Sequence, residues 1–382
     1  MKAFENKQLN LLNVHYGLRT LGCEVSNLFS LVYLYKQGLS LTATFLVYAL
    51  MLCVRPLTRP LCLLLCVKKG FKTALDVSML FFALRYLAMI PLDGVNWLLI
   101  PFMITAGLSE AFYPLPYHFY FTFAGSSEER GQSVGTREAV STLISLIAPV
   151  LSGFLLAFSR PAVFILAAVA AVAAIIPLRG LPDLEKPVIL PKKERRAVSK
   201  SGYLLFIGHG LFQQAINVWP VIVFLMLGEN YQTFGLILGL AALFRVIGNF
   251  VFGHMIDSGK GFFVCAVGHI LLIVTSAARG LWATTIPIVV LCDFFASVAL
   301  CFYMPSVMAW TYNKMRTSSS PFYFDFYMEY GWETGAIAAM AFAAATAYFG
   351  IDIRWSMAAA ALGAVWTMVP LCISYAKDEK KA

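Results

Sequence analysis

Three stretches of this chain, Pro161–Leu178, Phe262–Ala278 and Trp355–Tyr375, contain no Asp, Glu, Lys or Arg. Each has the length and apolarity of a helix that crosses a bilayer, whose hydrocarbon core takes about 20 apolar residues. Backbone in lipid must satisfy its own hydrogen bonds, so apolar runs of this length read as helices. The rest of the chain follows suit: 60% of its 382 residues are hydrophobic and 13% charged, against about 45–50% and about 25% in soluble domains. A span with its loop takes roughly 30 residues. About a dozen spans are therefore expected, and no room remains for a large soluble domain.

The pattern predicts spans over 11–35, 39–67, 74–92, 96–123, 135–158, 161–178, 203–227, 231–256, 262–281, 284–311, 322–348 and 353–375. The first is too long for a signal-peptide core and has no A-x-A cleavage pattern, so it is expected to stay. The second is expected to break at Pro56 and Pro60. One long polar insertion, Arg179–Gly202, carries Pro182, Pro187 and Pro191 and the basic cluster Lys192, Lys193, Arg195 and Arg196. It reads as a linker. The fold class is thus an all-α membrane protein with 12 transmembrane helices in two six-helix bundles, 1–178 and 203–382, joined by the basic linker 179–202.

The formal charge of +9 takes its meaning from where the bases fall. With both termini inside, the cytoplasmic segments hold 20 Lys and Arg and the external loops four: Lys36, Arg160, Arg279 and Arg354. That asymmetry predicts cytoplasmic termini and a cytoplasmic linker in the plasma membrane, or in the cytoplasmic membrane of a bacterium. The basic balance is then a topology signal, and nucleic acid is not an expected partner. The eight cysteines lie in or beside apolar stretches without zinc or redox spacing, so no disulfide framework or metal is expected. Cys62 and Cys66, one turn apart, read as packed membrane thiols. There is no Walker loop, H-E-x-x-H or G-x-S-x-G, which argues against ATP drive, hydrolase chemistry and any enzymatic role, and no cofactor is expected.

The two halves repeat. A shift of 190 residues lays Asn27 on Asn217, Gly38 on Gly228 and Arg55 on Arg245 without a gap. Two like halves joined by a basic linker describe an alternating-access transporter.

In these features the sequence resembles the major facilitator superfamily. That family carries a G-x-x-x-D signature followed by small and basic residues between helices 2 and 3 and again between helices 8 and 9. Gly253-His-Met-Ile-Asp257-Ser-Gly-Lys260 matches the second copy, with one later glycine displaced by a residue. In the first copy Leu63 and Val67 replace the glycine and aspartate, while Lys68, Lys69, Gly70 and Lys72 keep the basic tail. Ala148-Pro149-Val-Leu-Ser152-Gly153 is similar to the family's helix-5 antiporter signature. The resemblance implies that helices 1, 4, 7 and 10 line a central cavity.

A charge at mid-bilayer costs at least about 2.5–3.5 kcal/mol on insertion scales and points to function. On the first span Tyr16, Thr20, Glu24 and Asn27 share one face, and His209, Gln213 and Asn217 form the corresponding stripe on the seventh. Arg19 and His209 occupy matching repeat positions. Glu110 lies with Tyr117 on the fourth span and Asp293 with Ser297 on the tenth. Glu24, Glu110 and Asp293 are the candidate proton-coupling acids. Tyr16, Arg19, Thr20, Asn27, Tyr117, His209, Gln213, Asn217 and Ser297 are candidate ligands for a small-molecule substrate, although the amides and the imidazole serve equally as interhelical glue. Arg85 is expected to be a structural partner for one of the acids. The aromatic runs around Tyr113–Tyr120 and Phe322–Trp332 are expected to form interfacial belts, with a cage for a hydrophobic cation as the alternative.

A charged lock is expected at the cytoplasmic face. Asp325, Glu329 and Glu333 stack at i, i+4 and i+8, an arrangement unfavourable without bases nearby. The resemblance implies that Arg55 and Arg59 face them, that Arg245 meets Glu138 and Asp257 meets Arg137, and that Gly253 belongs to the same gate. The expected function is proton-coupled secondary transport of a small organic solute by a monomer. The excess of acids over Arg19 favours a cationic or amphiphilic compound, and the compact size with the helix-5 signature leans towards its export by proton antiport. The alternatives are a proton symporter for a zwitterion or anion, with Arg19 and His209 as ligands, and a non-transporting sensor or scaffold.

Overall fold

The computed structural model describes residues 7–123, 130–187, 191–256 and 261–379. Among them the regular structure is helical: α1 (Lys7–Lys36), α2 (Leu41–Lys69), α3 (Phe71–Met89), α4 (Leu99–Ala111), α5 (Pro114–Phe123), α6 (Arg130–Phe158), α7 (Arg160–Ala173), α8 (Ile175–Leu178), α9 (Lys192–Ile216), α10 (Trp219–Met226), α11 (Tyr231–Ile256), α12 (Gly261–Leu281), α13 (Ile286–Thr317), α14 (Pro321–Tyr348) and α15 (Met357–Glu379). A 3-10 turn, Ile353–Ser356, precedes α15. Seven helical stretches among the described residues are long and apolar enough to cross a membrane, including Pro161–Leu178, Gly261–Leu281 and Ile353–Lys377. The helices outside that set include α1, α3 and α14, which carry Arg19, Arg85 and the acids Asp325, Glu329 and Glu333. Such helices need protein partners for their charges.

The helix boundaries correct the expected ones in three places. α2 runs unbroken through Pro56 and Pro60, a tolerance that membrane helices owe to neighbours and small local adjustments that satisfy the freed carbonyls. The fourth and seventh spans are broken instead, at Phe112–Tyr113 ahead of Pro114 and at Asn217–Val218 ahead of Pro220, where proline supplies no backbone donor. α9 begins at Lys192, eleven residues before the expected start at Tyr203. The basic half of the expected linker is therefore helical, in keeping with its Lys, Glu, Arg and Ala content.

The chain forms two compact units, Met1–Leu39 with Leu50–Pro191 and Ser40–Ala49 with Lys192–Ala382. In the first, α1 packs on α6 and α7, and α3 on α4 and α7. In the second, α9 packs on α14 and α15, and α12 on α13 and α15. When helices interrupted by a kink are taken as one rod, these are the same four seams at corresponding places in each unit. The paired glycines behave alike as well: Gly38 beyond α1 and Gly228 beyond α10 both have positive φ, +91° and +63°, the left-handed conformation that ends a helix where a Cβ would be strained. Along the α9–α14 seam, a Cβ on Gly210, Gly331 or Gly335 would overlap the backbone carbonyls of Trp332, Tyr203 or Ile207. Small residues allow this close approach, as membrane helix pairs require.

The aromatic runs expected as belts lie in the interior. Tyr113, Tyr117, Tyr120, Phe322, Tyr323 and Phe324 are buried, because both runs sit on helices packed into their unit. Exposed aromatics at helix ends include Trp97, Phe158, Trp282, Tyr348, Phe349 and Trp355. The start of the linker is tied to the first unit. Arg179 pairs with Asp76 at 3.1 Å, and Lys72 donates to the Leu181 carbonyl at 2.7 Å and pairs with Asp183 at 3.2 Å. The Tyr120 hydroxyl donates to the Pro182 carbonyl, and Lys186 donates to that of Lys68.

Candidate functional site

In the first unit, charge gathers where α1 and α3 meet α4. One amino group of Arg19, Nη2, spans both oxygens of Glu110 at 3.1 and 2.9 Å. Arg85 Nη1 lies 3.6 Å from Glu110 Oε1, so Glu110 is an acid that Arg85 partners. The trio carries one more positive than negative charge. Arg19 spends only Nη2 on the carboxylate, and its buried Nε has no hydrogen-bond partner among the described residues. Its guanidinium rests 3.7 Å above the Tyr113 ring, close enough for a cation–π contact. Arg85 lies over Tyr86 at 4.6 Å and Phe82 at 5.0 Å.

Tyr113 begins an aromatic column. It stacks on Tyr117 at 5.2 Å, and Tyr117 stacks on Tyr16 at 5.4 Å. The buried Tyr113 hydroxyl has no hydrogen-bond partner among the described residues. His15 stacks beside Tyr113 and shares a hydrogen bond with the Ala174 carbonyl at 2.7 Å, which makes Nδ1 the donor. The break before Pro114 sets Tyr113 and Tyr117 near α1. Thr20 is buried on α1, and Glu24 is half-buried further along the same helix. The Asn27 side chain lies outside the described residues.

The second unit spends its polar groups differently. Asp293 on α13 accepts from Arg279 Nη2 at 2.6 Å and from the Trp219 indole at 2.7 Å, and Arg279 stacks over Trp219 at 4.7 Å. Arg279 is only 5% exposed and Asp293 4%. Arg279 is therefore an interior partner at the end of α12, where the sequence suggests an external loop base. The hairpin that ends α12 and begins α13 folds it back onto the acid fourteen residues later. His209 bonds the Tyr303 hydroxyl at 2.7 Å, Gln213 accepts from the Trp332 indole at 2.6 Å, and Ser297 donates to the Ala241 carbonyl at 2.9 Å. These contacts join α9 to α13, α9 to α14 and α13 to α11, which is the glue alternative. Asn217 falls beyond the end of α9, is exposed and donates to Gln214 at 3.3 Å. The helix break thus takes it off the stripe formed by His209 and Gln213.

Of the candidate gating residues, Arg55 and Arg59 are buried on α2, Asp325, Glu329 and Glu333 are buried on α14, and Arg245 is exposed on α11. Arg137 and Glu138 fall on α6 and Gly253 on α11, but their side chains lie outside the described residues, as does Asp257 altogether. The sequence reading gives Tyr113 and Arg279 other roles, as a belt aromatic and a loop base, and does not name Trp219. An arginine fourteen residues before an acid across a predicted hairpin was a usable signal for Arg279, whereas nothing in the sequence singles out Trp219.

The family model of the Major Facilitator Superfamily matches residues 20–328. The chain belongs to this superfamily. No curated protein sequence matches it. Among solved structures it is similar to the human organic anion transporter MFSD10 (TETRAN), with TM-score 0.69 and 15% identity over 97% of this chain and 98% of that one. It is also similar to a peptide transporter POT in complex with sulfate, at TM-score 0.66, 14% identity and 98% and 95% coverage. A D-xylose-proton symporter gives TM-score 0.64, 14% identity and 96% and 95% coverage. At these identities the likeness is one of fold. Family and fold make the chain a multi-pass membrane protein of a secondary-transporter family.

Proposed function

We propose that this chain is a proton-coupled secondary transporter of a small organic anion or zwitterion, working by alternating access. The observation that carries the reading is the trio Arg19, Arg85 and Glu110, in which two guanidiniums share one carboxylate. An incoming carboxylate or phosphate competes with Glu110 for Arg19 and meets donors in that cluster that are not yet spent. Glu110, once displaced into low-dielectric surroundings, is neutralised by a proton, since an isolated buried carboxylate is far costlier than a neutral acid. Anion and proton are then bound together and travel in the same direction. The reading as a cation exporter depends on an excess of acid, and Glu110 beside two arginines and Asp293 beside one leave no excess in either cluster. The same reading keeps twelve spans in two six-helix bundles, with both termini and the linker cytoplasmic in the plasma membrane.

Flux into proteoliposomes under an inward proton gradient tests the proposal with a panel of labelled organic anions, zwitterions and cations. We expect accumulation of an anion or zwitterion that a protonophore abolishes. Arg19→Gln should reduce its uptake about 10- to 100-fold, as loss of a charge-assisted hydrogen bond predicts. Accumulation of cations alone, or full anion uptake by Arg19→Gln, would overturn the reading.

A further inference from the structure

The trio of Arg19, Arg85 and Glu110 constrains the charge of the substrate as well as its sign. Glu110 Oε1 is shared: Arg19 Nη2 donates to it at 3.1 Å, and Arg85 Nη1 lies 3.6 Å away. Two guanidiniums from different helices thus converge on one oxygen, and a single oxyanion group that takes its place meets both. At Asp293 in the second unit, one guanidinium pairs with the acid among the described residues.

Charge then selects the group. With Glu110 ionised, the trio holds one net positive charge, which a monoanion already cancels. A proton on Glu110 makes that loaded site positive again, and a buried uncompensated charge is costly. A dianion reverses the order, because its loaded site is neutral only when Glu110 is protonated. Arg55 and Arg59 on α2 also act on Glu110, and Glu24 lies further along α1, so guanidiniums outnumber carboxylates in this part of the unit. We propose that the solute is a phosphate monoester or phosphonate, bound through its dianionic phosphoryl group by Arg19 and Arg85 while Glu110 holds the coupling proton. The inference rests on the proton-coupled anion reading given above. On loading, Glu110 takes one proton from solvent and gives up both guanidiniums to phosphoryl oxygens, which the arginine fork matches in geometry. A dicarboxylate spreads its charges over two groups and fits two arginines that share one oxygen less well.

The test uses esters that differ by one charge at nearly constant shape. Methyl, phenyl and hexose phosphates are compared with the sulfates of the same alcohols, by calorimetric titration into the detergent-solubilised full chain. A slightly alkaline pH, above the phosphate second pKa of about 6, keeps the phosphates dianionic and the sulfates monoanionic. We expect at least one phosphate ester to bind about tenfold or more tightly than its sulfate. Two buffers of different ionisation enthalpy should reveal about one proton taken up per phosphate ester bound, and Glu110→Gln should abolish that uptake. Arg85→Gln should erase the preference for phosphate, whereas Arg85→Lys, which keeps the charge, should retain part of it. The wild-type comparison needs no variant to fold. Sulfates that bind as tightly as phosphates, an unchanged preference in Arg85→Gln, or proton uptake that survives Glu110→Gln would each overturn the proposal. Proton-driven accumulation of monocarboxylates alone would overturn it while the anion reading stands, and if no anion binds or accumulates, both fall.

Discussion

The α3–α4 seam of the first unit and the α12–α13 seam of the second occupy corresponding places, and each buries arginine against a carboxylate. They differ in what is left over. At Asp293 one guanidinium and one indole converge on Oδ1 under a Trp219 cap, and the pair is neutral. At Glu110 a second guanidinium is present and the Tyr113 hydroxyl remains unspent among the described residues, whereas Arg19 Nε and Arg279 Nε lack a partner alike. The side chains there are also more open, with Arg19 at 14% and Glu110 at 19% exposure against 6% for each partner of the second pair. Burial alone therefore does not mark a binding site. A closed, charge-balanced pair holds helices together, whereas an unbalanced one with spare donors is still available to a ligand.

The contrast can be broken most severely in the second unit. Arg279→Met strands Asp293 as a buried charge and should cost about 3–5 kcal/mol, read as a large drop in thermal stability in detergent. Adding Asp293→Leu should restore most of that loss. If the single variant is harmless, the second site is not closed in the sense argued here. Trp219→Phe keeps the ion pair and removes only the indole donor, for which a loss of about 1.5–3 kcal/mol is expected in the same assay. Arg85→Met in the first unit should cost less, about 1 kcal/mol, because Glu110 keeps its closer contact with Arg19. An equal penalty for Arg85→Met and Arg279→Met would erase the difference between the units.

The pair Asp352–Arg354, in the turn before α15, supplies the exposed reference. Hydrogen bonds from Arg354 hold the Asp352 carboxyl below the usual aspartate range. A depressed folded-state pKa stabilises above the unfolded value and loses its contribution as pH falls through the folded one. Asp352→Asn should therefore remove a stability increment at neutral pH that is already absent in strong acid. Its size should stay within about 1 kcal/mol, as for other exposed pairs, by thermal melts across that pH range.

The charged residues were the most legible part of the site, because a Glu or Arg inside an apolar run stands out whatever its partner. Glu110, Arg19 and Arg85 were all visible in this way, and the structure adds that they meet. Partner choice was less legible where it depends on helix rotation. The stripe His209, Gln213 and Asn217 assumes an unbroken helix, yet the chain leaves α9 at Ile216, so Asn217 takes another direction. Pro220 warned of a break somewhere near, as Pro114 did ahead of Tyr113, but Pro56 and Pro60 gave the same warning inside a continuous α2. Tertiary neighbours decide which prolines interrupt a membrane helix. The tyrosines around residue 113 read as a belt for a related reason: composition gives their amphipathic character, and only packing tells the interior from the interface.

The anchored start of the linker changes where this polypeptide can be cut or lengthened. Residues 179–186 are fastened to the first unit through Asp76, Lys72, Tyr120 and Lys68 and α9 begins at Lys192, so a junction placed between Pro187 and Pro191 falls outside those fastenings. Flexible residues spliced in there add loop-closure entropy of about 0.6 kcal/mol per doubling of length, and two fragments co-expressed with that junction open would each keep their own fastenings. Moving the junction back to Arg179 would instead strip the first fragment of its clasp, although both cuts fall in what the sequence presents as one proline-rich segment.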